Sequence, residues 1–126
     1  MIPLSTRIKR AVVGWIVGGL AAGVLILPIC DLHFDCGCTW PGLGGWSHCD
    51  IHTAGPPDCP WCASAVTWFT VTVLSYGLGL AAAWVAAGRW PLATVALLGF
   101  AGTVSGSLAA GAITSLWLGR PVFAGL

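Results

Sequence analysis

Three apolar runs without an ionisable side chain dominate this chain, at residues 11–29, 63–88 and 92–118. Each has about 19 residues or more, and at roughly 1.5 Å per residue a helix of that length spans the roughly 30 Å hydrocarbon core of a bilayer. Charged residues make up 7% of the sequence, against roughly 25% in a soluble domain. So few charges cannot cover the surface of a water-soluble fold. The sequence therefore predicts an all-α integral membrane protein with three transmembrane helices, multi-pass in the cell (inner) membrane.

The first run, AVVGWIVGGLAAGVLILPI, follows a basic segment, residues 1–10, that contains Arg7, Lys9 and Arg10. A basic segment before an apolar stretch also describes a signal peptide. This run is longer than the usual signal core, and Leu27-Pro28-Ile29 before Cys30 lacks the small residue of a lipoprotein cleavage site. We read it as an uncleaved anchor ending near Pro28. A polar loop, 30–62, comes next and is rich in glycine, proline and tryptophan. The second helix is expected over 63–88, with Arg89-Trp90-Pro91 as a tight turn. Pro91 suits the first turn of a third helix over 92–118. Gly119-Arg120-Pro121 ends that helix and opens a short tail to residue 126.

Basic residues favour the cytoplasmic side of a membrane. Four of the five lie in the N-terminal segment and the 89–91 turn, which share one side under three spans. The N-terminus is therefore expected in the cytoplasm, and the 30–62 loop and the 119–126 tail outside.

Small residues recur within the runs at a spacing that lets helix backbones approach closely in lipid: Gly14 and Gly18, Gly19 and Gly23, Gly102 and Gly106. No Asp, Glu, Lys, Arg or His falls inside the three runs. Ionisable groups at that depth mark ion paths and proton relays, so their lack argues against a self-contained transporter. Such helices are expected to dock on other integral membrane subunits. Trp68, Trp90 and Trp117 fit interfacial anchors, while Trp15 and Trp84 lie deeper and fit packing.

The chemistry is concentrated in the loop. It carries all four acids, Asp31, Asp35, Asp50 and Asp58, all six cysteines, and His33, His48 and His52. Cys36-x-Cys38, His48-Cys49-x-x-His52 and Cys59-x-x-Cys62 are close ligand pairs separated by Gly/Pro linkers. Each pair can offer two soft donors from one turn, which is what a tetrahedral thiolate or imidazole site requires. The expected metal ligands are Cys36, Cys38, His48, Cys49, His52, Cys59 and Cys62. Zinc is the default ion, since it accepts mixed cysteine and histidine sets; copper is the alternative. Disulfides are the competing explanation, because the cysteine count is even and the outer compartment is oxidising. Cys30 and His33, nearest the membrane, are set aside as bystanders.

Other chemistries find no support. Ala63 follows Cys62, so no haem attachment motif is present, and no phosphate-binding loop or HExxH motif occurs. The acidic loop offers nothing to nucleic acid, and no small-molecule substrate is legible. The leading expectation is a non-catalytic accessory subunit of a larger membrane complex, with an outer loop organised by zinc or disulfides. The first alternative is a protein that handles copper or zinc outside the membrane. The second is a membrane thiol–disulfide oxidoreductase using Cys59 and Cys62. A reactive thiol needs a nearby cation or helix N-terminus, and the loop has four aspartates and no Lys or Arg.

Overall fold

Helix length and the positions of small residues settle the architecture of this chain. The computed structural model describes residues 3–38 and 59–123. Its elements are α1 (Leu4–Phe34), the single turn α2 (Pro60–Ala63), α3 (Ala65–Ala87) and α4 (Leu92–Trp117). Helices α1, α3 and α4 are each long and apolar enough to cross a membrane. They pack on one another, with α4 against both α1 and α3. Many of their large apolar side chains point outward, among them Leu20 at 72%, Val85 at 72% and Trp117 at 78% exposure. Water would penalise such a surface heavily, and lipid would not.

Helix α1 overruns the expected 11–29 span at both ends. Its 31 residues reach about 46 Å, so it carries Arg7, Lys9 and Arg10 at one end and Cys30, Asp31 and His33 at the other. Pro28 lies inside the helix and does not end it. A proline in an apolar helix loses one backbone hydrogen bond, which neighbouring groups can make good. Helices α3 and α4 keep close to their expected spans.

The interior is built from backbone meeting backbone. A Cβ placed on Gly18 would stand 2.4 Å from the Ala96 carbonyl oxygen and 2.6 Å from the Phe100 nitrogen, so α1 and α4 touch there. One on Gly106 would stand 2.7 Å from Ser75 Cα, which marks the same contact between α4 and α3. Gly14 and Gly102 face α4 and α3 in the same way, while Gly19 and Gly23 make room for Tyr76. All three small-residue pairs thus make contacts within the chain. Two of the buried hydroxyls on α4 are met locally. Thr103 donates to the Gly99 carbonyl at 2.9 Å, and the Ser107 hydroxyl lies 3.0 Å from both the Ser75 hydroxyl and the Thr103 carbonyl.

The two ends of the bundle differ in character. At the turn end, the Arg7 guanidinium lies over the Trp84 ring, 4.5 Å from its centroid, and donates to the Trp84 carbonyl at 3.2 Å. Arg10 donates to the Trp90 carbonyl. The basic N-terminal segment and the turn between α3 and α4 therefore share one end. The opposite end, where α1 finishes and α3 begins, gathers Ile29, Cys30, Phe34, Cys36, Cys38, Cys59 and Trp61 into one buried cluster.

Candidate metal centre

The chain reversal after α1 brings its first cysteines together. Asp35 ends the helix in the left-handed region, at φ 50°, and its N–H donates to the Asp31 carbonyl at 2.7 Å. Aspartate tolerates that conformation better than most residues, and glycine better still. Gly37 follows at φ 71°, and its N–H donates to the Asp31 carboxylate at 2.8 Å. The side chain of Asp31 thereby ties the turn to the helix it leaves. The turn folds Cys36 back over the last turns of α1, and the Cys30 and Cys36 sulfurs stand 3.2 Å apart.

The second strand of the site comes from α2. Pro60 suits the first position of a helical turn, and Cys62 N–H donates to the Cys59 carbonyl at 3.0 Å. Thr67 reaches back from α3 to the carbonyls of Pro60 and Ser64. This turn sets Cys59 against α1, with its sulfur 2.9 Å from that of Cys30. The Trp61 ring meets Phe34 edge to face at 5.4 Å between centroids, and both are buried beside the sulfurs.

The outcome is a group of three thiols, Cys30, Cys36 and Cys59, all buried, with their sulfurs within 4.8 Å of one another. Cys38 and Cys62 also interact with Cys30. Cys30, set aside from the sequence, is thus the member that all four other described cysteines approach. Of the residues read as ligands from the sequence, Cys36 and Cys59 lie in this group, and Cys38 and Cys62 meet it through Cys30. His48, Cys49 and His52 lie outside the described residues.

His33, the other supposed bystander, stays out of the thiol group. It is fully buried one turn beyond Cys30, with Nδ1 against the Val122 carbonyl and its ring stacked 5.0 Å from Phe123. Gly111 of α4 leaves room for the ring, since a Cβ there would come within 2.2 Å of it. Its role is to pin the chain after α4 onto the end of α1.

Electrostatics within the group is unequal. Contact with Cys30, and next with Cys59, holds the Cys36 thiol below its ordinary value in spite of burial. Cys59 moves the other way. Its contact with Cys30 lowers it, but the neighbouring Cys36, burial and the charge on Cys36 together outweigh that and push it up. One thiolate is stabilised by the thiols around it, and a second beside it is resisted. A cation removes that resistance, because thiolates are the form in which cysteines bind metals.

The geometry also states what binding would require. Sulfurs sharing a tetrahedral zinc at about 2.3 Å stand about 3.8 Å apart. The present separations are 3.2 and 2.9 Å, so the sulfurs must spread by somewhat under about 1 Å. A disulfide within the three would leave the third thiol to pair with Cys38, Cys62 or Cys49, whereas a thiophilic cation uses all three at once. Comparison with known protein families, curated proteins and solved structures found no match to this chain.

Proposed function

We propose that this chain is a small multi-pass membrane subunit that holds a thiophilic metal ion, zinc by default, where its loop joins the bundle. The observation that carries this reading is the buried group of Cys30, Cys36 and Cys59. Those residues come from the end of α1, the turn after it and the approach to α3. An ion bound among them ties both ends of the 30–62 loop to the helices. Some 30 residues cannot bury enough apolar surface to fold alone, and a structural zinc supplies folding free energy directly. The fourth ligand is the buried Cys38 or one of His48, Cys49 and His52, with the exposed Cys62 outside the resting set.

The reading keeps the chain non-catalytic and places the loop outside the membrane, in accord with the basic turn end formed by Arg7, Arg10 and Arg89. The buried Thr103 and Ser107 hydroxyls bond to carbonyls of their own helix and to the Ser75 hydroxyl, as structural hydroxyls between packed helices do. The apolar outer faces of the three helices suit lipid or the helices of other membrane subunits alike. The oxidoreductase reading weakens, because Cys59 is buried and pushed away from the thiolate form that a nucleophile needs.

A second reading, handling of a soft ion, is favoured by one feature. Five described thiols exceed the four ligands that a structural zinc uses. Elemental analysis of the protein, purified in mild detergent under reducing conditions, tests the shared claim. About one zinc per chain is expected; copper in its place would favour handling, and chains free of metal would contradict both readings.

A further inference from the structure

The thiol group has a closed side and an open side. Cys36 and Cys59 are fully buried. Cys30, Cys38 and Cys62 instead line a cavity of about 440 Å³ between α1 and α3, together with Leu20, Trp61 and Tyr76. Cys62 is the exposed member of the described set, and it interacts with Cys30. Among the described residues, Cys30 alone belongs both to the buried three-thiol group and to the cavity wall. The thiols therefore form a graded path from the surface at Cys62, through Cys30, to the interior at Cys36 and Cys59.

We propose that Cys62 is the exchange thiolate of this centre, accepting a thiophilic ion from a thiol-bearing carrier at the cavity and passing it to Cys30 and the buried pair. The inference rests on the metal reading given above and adds that the ion is exchangeable. Ligand exchange of this kind conserves charge and bonds. Cys62 loses its proton to water as its sulfur bonds the ion, and the departing carrier thiolate takes up a proton. In the next step the Cys30 thiol gives up its proton as its bond to the ion forms, and the Cys62 thiolate takes one up as its bond to the ion breaks. No electrons are transferred. An ion held only by buried sulfurs would need the site to open before it could leave, whereas an exposed thiol in contact with the group lets exchange proceed by successive substitution.

The test uses the full chain in detergent, loaded with zinc of natural abundance and mixed with isotopically enriched zinc, with exchange followed by mass spectrometry. The Cys62→Ser variant is expected to keep the wild-type zinc content and helical circular dichroism while exchanging about tenfold more slowly or worse, as loss of one sulfur contact in the rate-limiting step implies. A small free thiol added to the variant is expected to restore much of the rate. Cys36→Ser, by contrast, should lose its zinc. If Cys62→Ser exchanges at the wild-type rate, or loses zinc as Cys36→Ser does, the exchange role is overturned while the metal reading stands. If the wild-type chain takes up no zinc, the metal reading itself fails.

Discussion

Replacing Cys30 by serine is expected to abolish stoichiometric metal binding. The Cys30 sulfur lies 3.2 Å from that of Cys36 and 2.9 Å from that of Cys59, and Cys38 and Cys62 approach it as well. Serine keeps the volume and the helix but offers a hard, un-ionised oxygen where a soft thiolate is needed. Loss of an outer-shell partner alone costs roughly 10–100-fold in metal affinity, and removal of a ligand should exceed that. The measurement is zinc content and competitive titration against a chelator, with helical content as a control. The outcome also separates two ligand sets. If the ion were held by Cys36, Cys38, Cys59 and Cys62 alone, as the paired spacing implies, Cys30→Ser would bind zinc as the wild type does.

The second large effect lies in the bundle. Gly18→Ala places a methyl group 2.4 Å from the Ala96 carbonyl oxygen and 2.6 Å from the Phe100 nitrogen. Both are backbone atoms of α4, so no side-chain rotation can relieve the clash and the two helices must separate. Overpacking of that kind costs about 1–3 kcal/mol and sometimes more. Gly77→Ala is the internal control, since a Cβ there meets nothing within 4 Å. It should hold stability or raise it by up to about 1 kcal/mol through lower chain entropy. Unfolding of both variants in mixed micelles checks the contrast. Equal stability for Gly18→Ala and the wild type would contradict the close approach of α1 and α4.

The helices were legible in the sequence because length and apolarity alone specify them. The stretches 63–88 and 92–118 carry no charge, and Arg89-Trp90-Pro91 punctuates them. The end of α1 was harder to read. Pro28 looks like a stop, yet α1 continues to Phe34, because a proline costs a helix one hydrogen bond that its surroundings can replace. A helix ended at Pro28 places Cys30 and His33 in the loop, whereas both belong to the last turns of α1. The signal that would have corrected it is Asp35-Cys36-Gly37: an aspartate and a glycine at φ 50° and 71° reverse the chain directly behind the helix. Once the helix is extended to that reversal, Cys36 must return to Cys30. Spacing rules favour ligands adjacent in sequence, such as Cys36 and Cys38. They are silent about a helical cysteine met by a turn from above and by Cys59 from far along the chain.

The small-residue pairs were read correctly as packing surfaces, but their partner could not be read. Gly14 and Gly18 serve α4, and Gly102 and Gly106 serve α3. A glycine stripe specifies close approach and leaves the identity of the approaching helix to topology. The role of His33 depends on the carbonyl of Val122 and the space left by Gly111, contacts that no local pattern encodes.

X-ray absorption at the zinc edge, on the purified full chain, tests the thiolate centre most directly. A first shell of sulfur near 2.3 Å, populated by three or four scatterers, is the expected spectrum, and it should collapse in Cys30→Ser. A shell of nitrogen and oxygen near 2.0–2.1 Å without sulfur, or a sulfur shell indifferent to Cys30→Ser, would contradict a metal held by Cys30, Cys36 and Cys59.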